Sequence, residues 1–223
     1  MSRYPILLLA SAALLLSACG SAATPVPTAI PTAVPPVVTP APAASGLSVS
    51  GWDRVPMSDI LSGTSGTVVR PAGWVASDPH TIYATATDAQ MKKYGFIAVL
   101  SDMNQTDLTY GIPTVTIAKV AKTSGSLHDW AVANVAQMYG TAPDYQILAT
   151  NDITLPIGPA VEIQMMSPAG TTAGQVVPRY FLMYISDTAK GRYVFYGAAS
   201  SDEVAARVFP YIRAIVENFA PTS

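Results

Sequence analysis

Cys19 is the only thiol in a chain of 223 residues, and a thiol can attack a substrate, ligate a metal, pair into a disulfide or carry a lipid. Its surroundings decide among these. It ends the tetrapeptide Leu16-Ser17-Ala18-Cys19, directly after an apolar run from Ile6 to Ala18. The segment that follows, Gly20 to Gly46, holds no Asp, Glu, Lys or Arg. Without a second cysteine there is no disulfide. The other candidates for chemistry are sparse. His80 and His128 are too few to make a metal site by themselves, and each reads as a solvated polar position: His80 in a turn after Asp78-Pro79, His128 in the first turn of a helix beside Asp129. A hydrolytic triad lacks its G-x-S-x-G elbow. "DMNQTD" (102–107) starts like a calcium loop, but Asp107 and Pro113 stand where that pattern demands Gly and Glu. It reads as an Asp/Asn/Thr turn. No catalytic residue, no metal ligand and no cofactor is expected, and the chain is not expected to be an enzyme.

The start of the chain carries one basic side chain, Arg3, before the apolar run. A membrane-crossing helix needs ~20 apolar residues, so this run is too short to span comfortably. A basic start, a short apolar stretch and small residues at its end mark a secretory signal. Leu16-Ser17-Ala18-Cys19 resembles the lipobox of bacterial lipoproteins. The resemblance implies a diacylglyceryl group joined to the Cys19 sulfur by a thioether, and cleavage between Ala18 and Cys19. Each buried CH₂ contributes ~0.8 kcal/mol to membrane binding, and two or more acyl chains hold stably where one does not. The expected location is therefore the extracytoplasmic face of a bacterial cell membrane, held by the N-terminal lipid.

Seven prolines between positions 25 and 42 then rule out helix and sheet over that stretch. Such a segment favours polyproline II and acts as a semi-rigid spacer, reaching on the order of 80 Å if fully extended at that rise. The chain thus divides into a signal (1–18), a lipidated tether (19–47) and one globular domain (48–223), a length that suits one core. Removing residues 1–18 takes away Arg3 alone among the charged side chains, moving the formal charge from −2 to −3. Neither sign clusters, so the basic stripe that a nucleic-acid partner requires is missing. A monomer is expected.

Strand patterns fall at 66–77 (broken at Pro71), 81–87, 95–102 and 114–120, each rich in β-branched or aromatic residues. Residues 145–156 predict two short strands around Asn151-Asp152. Strands at 158–167, 178–186 and 191–200 follow, the last two joined by a "DTAKG" hairpin turn. "SGTSG" (62–66) and "KKYG" (92–95) read as a flexible connection and a two-charge turn. Two segments are helical by period. Ser126 opens one, with Leu127, Trp130, Ala131, Val135 and Met138 on one face. Ser200 to Phe219 is the other, with Ser200 and Glu203 spaced as a capping box and Pro210 inside, predicting a kink or an effective start. Trp74 and Trp130 fall on faces predicted to be buried. Trp52 has two open readings, packing back or presenting a contact surface, and Met165-Met166 is equally open between core and interface.

Mostly β, one helix, β meanders and a closing helix make an α+β arrangement with helices packed on an antiparallel sheet. "RPAGW", the "SLHDWAVANVAQM" helix, the "RYFLMYI…GRYVFYGAAS" hairpin and the closing "VFPYIRAIVENF" helix together resemble Mog1/PsbP-like domains, including bacterial lipoproteins of the LpqN and DcrB kind. The resemblance covers roughly residues 64–220. It implies an α/β/α sandwich used mainly for binding proteins, with no functional residues to carry across. The expected function is a lipid-anchored binding or assembly module of the bacterial envelope with an unidentified protein partner. The alternatives are an envelope enzyme with a site assembled from scattered residues, or an accessory subunit of a membrane complex.

Overall fold

Strands that are apolar on both faces need cover on both, and this requirement organises the chain. The structure is a computed structural model that describes residues 46–104, 112–139, 145–167, 171–172, 175–176, 179–199 and 201–221. Cys19, Ala18, the apolar run and most of the tether lie outside the described residues. Ser200, Gln105 to Asp107 and the 141–144 connection lie outside them too. No helix among the described residues is long and apolar enough to cross a membrane.

The first elements are β1 (Asp53–Pro56), α1 (Met57–Ile60), β2 (Thr67–Arg70), β3 (Trp74–Ser77), α2 (Pro79–Ile82) and α3 (Asp88–Tyr94). Then come β4 (Phe96–Asp102), β5 (Thr114–Val120), α4 (Leu127–Tyr139), β6 (Gln146–Leu155) and β7 (Gly158–Ser167). The chain ends with β8 (Thr171–Thr172), β9 (Gln175–Val176), β10 (Arg179–Thr188), β11 (Gly191–Ala199) and α5 (Asp202–Glu217). Seven strands build one antiparallel sheet in the order β3-β4-β5-β11-β10-β7-β6. β1–β2 and β8–β9 are separate pairs.

Alternation along β11 shows the two faces. Tyr193 and Phe195 join Val208, Ile212 and Phe219 in one core cluster, under α5. Val194, Tyr196 and Ala198 pack against the other cluster, which holds Ala131 and Val135 of α4. The sheet between two helical layers is the expected α/β/α sandwich. Burying one Val, Ile or Phe side chain contributes roughly 1.5–3 kcal/mol. The buried Val208, Ile212, Ile215 and Val216, with Phe219 just beyond the helix, therefore make α5 the main lid of its face.

α4 follows its predicted spacing. Ala131 and Val135 are wholly buried, with Leu127, Trp130 and Met138 packed around them, and the Ser126 hydroxyl accepts the Asp129 N–H at 3.0 Å. In α5 the cap is Ser201, which accepts the Val204 N–H at 3.2 Å, one residue later than the sequence pattern suggested. The helix also continues past Pro210 as one element. Proline leaves the carbonyl of Ala206 without its helical partner, and burial of the apolar side chains on both sides of it outweighs that loss.

Four expectations are corrected. Residues 81–87 are not a strand: Asp78 caps α2, with Pro79 at its first position, and Thr87 and Gln90 form a reciprocal capping box that starts α3. "KKYG" is the last turn of α3, closed by Gly95 in the left-handed region at φ +65. The predicted pair of strands at 145–156 is one ten-residue strand, β6, because Asn151 and Asp152 sit in register with Glu162 and Val161, and the irregularity falls at Ile147/Ala149 instead. The two halves of 66–77 lie in different sheets, since β2 pairs with β1 and β3 edges the large sheet. The "DTAKG" hairpin stands as predicted, with Thr188 opposite Gly191.

Candidate functional site

The predicted candidates do not converge. His80 Nδ1 lies 2.8 Å from Asp78, and His128 Nδ1 lies 2.9 Å from Asp152 on β6. Each imidazole is thus held by one exposed or half-buried carboxylate. No group of three His, Cys, Asp or Glu side chains comes together among the described residues. Asp102 is buried; it accepts the Asn104 N–H at 3.0 Å and pairs with Arg207 at 3.3 Å, so the start of "DMNQTD" is an Asx turn tied to α5. Trp74 is buried and Trp52 packs back onto the domain, their rings stacking on Tyr211 of α5 at 6.3 and 5.8 Å. Trp130 is only half buried. Its ring lies 4.3 Å under the guanidinium of Arg192, which also grips Asp187 through Nε at 2.8 Å and Nη2 at 3.2 Å. Met165 is core and Met166 sits half buried beside it.

The ionisable side chains that do converge were not singled out from the sequence. Glu162 of β7 is wholly buried beneath α5. It accepts from the Tyr184 hydroxyl at 2.5 Å, from Gln164 at 3.0 Å and from Arg213 at 3.3 Å, while Arg213 Nε donates to the Tyr184 oxygen at 2.9 Å. The signal in the sequence is a carboxylate at an inward position of a strand that is otherwise apolar on both faces, which demands a buried partner. These bonds join one group of the cluster to the next, and so tie α5 to the sheet.

Burial, with the Glu162 carboxylate beside it, pushes the Tyr184 phenol above its ordinary value of 10.0. The native state therefore keeps a proton that the unfolded chain loses above about pH 10. Stability contributed by this group is fully present below that pH and falls as pH rises past it. Urea unfolding between pH 8 and 11 is expected to show this loss, and Tyr184→Phe to reduce its slope. Tyr83, also raised by burial, leaves a residual slope. Equal slopes in both proteins would contradict the assignment.

A second locus is a cleft of about 450 Å³ at one end of the sheet. Its origin is topological. β3 stops at Ser77, opposite Val99, so Phe96 to Ala98 have no strand outside them. A bulge between Phe96 and Ala98 further bends β4 there, as bulges beside sites often do. One wall is α3, contributing Asp88, Met91 and Lys92; the other is the α1–β2 loop, residues 61–65. That loop is pinned by Thr64, whose hydroxyl bonds the Met57 and Leu61 carbonyls at 2.7 and 2.6 Å. Lys119 and Tyr193, cross-strand partners on β5 and β11, line the floor with Phe96 and Ile97, and His80 stands at the rim. Gly95 lets β5 approach: a Cβ there would lie 2.2 Å from the Lys119 carbonyl oxygen. Sequence reasoning passed over Lys92 and "SGTSG" as surface turns, and Lys119 and Tyr193 as ordinary strand residues.

The sheet and its two helical layers define an α+β sandwich, a fold shared with PsbP. Among solved structures, the cyanobacterial PsbP (CyanoP) of Synechocystis sp. PCC 6803 aligns with 79% of this chain and 96% of its own, at 14% identity and a TM-score of 0.51. That likeness speaks for the fold alone. The Saccharomyces cerevisiae Ran-binding protein Mog1p aligns with 73% of this chain and 84% of its own, at 12% identity and a TM-score of 0.45. LpqN of Mycobacterium tuberculosis, involved in cell envelope biogenesis, aligns with 76% and 91%, at 12% identity and a TM-score of 0.42. No protein-family model and no curated protein matches the sequence.

Proposed function

We propose that this protein is a lipid-anchored, extracytoplasmic binding or assembly module of a bacterial envelope, without catalytic chemistry of its own. The observation that carries the reading is the placement of the sole cysteine, at the end of Leu16-Ser17-Ala18-Cys19 and at the head of an uncharged proline-rich tether. In this reading residues 1–18 are a signal removed at Ala18–Cys19, residues 19–47 are the tether, and residues 48–223 are the working domain. The architecture of that domain supports binding over catalysis: among the described residues, both imidazoles and the buried carboxylates are engaged in local or structural pairs.

A tether confines the domain to a layer next to the membrane and so raises its effective concentration toward a partner within reach; the gain vanishes where the linker cannot span the gap. A catalyst for small diffusing substrates would gain little from such confinement. Deleting Ala23 to Ala43 is expected to reduce partner capture in intact cells while the domain stays folded. Crosslinking at equal expression, comparing full-length and shortened chains, measures this directly. Equal yields of the same crosslinked partners would count against a protein-binding role that depends on reach. A partner that proves to be a resident membrane complex would favour the accessory-subunit form of the same reading.

A further inference from the structure

The cleft at the end of β4 contains groups that the fold leaves unused. Lys92 on α3 and Lys119 on β5 both line it, both are exposed, and neither forms an ion pair among the described residues. The Lys119 ammonium rests instead 5.6 Å from the ring centroid of Tyr193. Tyr193 is only 2% exposed and lines the cleft. A phenol lining the cleft can donate to something that enters it. Among the described residues Asp88 is the one carboxylate lining the cleft, against two ammonium groups and the imidazole of His80. The rest of the lining sets the apolar Leu61, Met91, Phe96 and Ile97 beside Thr64, Ser65 and two glycines.

We infer that this cleft binds a small organic anion, a carboxylate or phosphate head on an apolar body. The head lies between Lys92 and Lys119 and accepts from the Tyr193 hydroxyl, and the body rests on Met91, Phe96 and Ile97. The cleft volume falls in the range of small-molecule sites, about 300–1,000 Å³. Two ammonium groups without partners favour an anion over a neutral ligand, because a charge-assisted hydrogen bond is about twice as strong as a neutral one. The apolar lining favours a molecule with a body over a bare inorganic anion, which would leave that surface wet. This activity is independent of the lipid anchor and of any protein partner.

The test uses full-length protein in nanodiscs, with protein-free nanodiscs as the blank, titrated calorimetrically with phenyl phosphate, benzoate, inorganic phosphate and benzyl alcohol. Phenyl phosphate, benzoate or both are expected to bind saturably, at least tenfold more tightly than inorganic phosphate or benzyl alcohol. The better of the two identifies the head. Lys92→Ala/Lys119→Ala is expected to weaken that binding tenfold or more, and Tyr193→Phe to weaken it several-fold, each loss being of the size of one or two charge-assisted or buried hydrogen bonds. Both lysines are exposed, so an unchanged melting temperature in the double variant separates loss of binding from loss of fold. Absence of saturable binding by both organic anions overturns the inference. So does binding that survives in the double variant, or inorganic phosphate binding as tightly as the better of the two organic anions.

Discussion

Replacing Cys19 with serine is expected to abolish both the lipid and the cut that follows it. Serine offers no sulfur for the thioether, so the chain should carry no acyl mass and should no longer be processed between Ala18 and position 19. The effect is expected to be large because the thioether needs a sulfur and Cys19 is the only cysteine. The Ile6–Ala18 run is shorter than the ~20 residues a comfortable span requires, and no helix among the described residues is long and apolar enough to cross a membrane. Fractionation of cells expressing wild-type and Cys19→Ser chains, followed by mass analysis of the N-terminus, reads the outcome. A Cys19→Ser chain that is still processed, unmodified and yet recovered with membranes would contradict the anchor.

Arg213→Ala is expected to cost about 3–5 kcal/mol of stability, since it strands a fully buried carboxylate. In the intact protein Glu162 is met by Arg213, Tyr184 and Gln164 together; the truncation removes the only positive charge among them. Tyr184→Phe should cost less, in the range of about 1–3 kcal/mol for one unmet buried polar group. Combining Glu162→Gln with Arg213→Met should lose less than the two single losses added together, because the charge left stranded in each single variant is gone. Urea unfolding of the chain lacking residues 1–19 measures all five variants. A loss of under about 1 kcal/mol for Arg213→Ala, the size found for exposed pairs, would mean that the cluster is solvated and that α5 is held by its apolar side alone.

The elements that proved legible in the sequence are those with a long period and a buried face. α4 could be read from Leu127, Trp130, Ala131, Val135 and Met138, and the β10–β11 hairpin from its apolar runs, because burial imposed the pattern. Short elements were not legible in the same way. In "TIYATAT" the β-branched residues alternate as in a strand, yet Asp78-Pro79 before them and Thr87 with Gln90 after them place helix starts on either side, and local capping prevailed. β1 has four residues and is held largely by β2 and its neighbours, with the β2 end itself bridged to Ala220 beyond α5. The cleft was hidden for a different reason. Lys92, Lys119 and Tyr193 are far apart in sequence, and only the strand order β4-β5-β11 brings their elements together. Glu162 left a trace, as a charge in "AVEIQM", but its partners Tyr184 and Arg213 are found only when the third dimension is known.

The proposal rests most heavily on one covalent fact, the state of the N-terminus in the membrane-extracted protein. Mass spectrometry of its N-terminal peptide is predicted to find a chain that begins at Cys19, with a diacylglyceryl group on the sulfur and residues 1–18 absent. An N-terminal peptide that still contains Ser17-Ala18-Cys19 with a free thiol, or a chain cut there without a lipid, would contradict it.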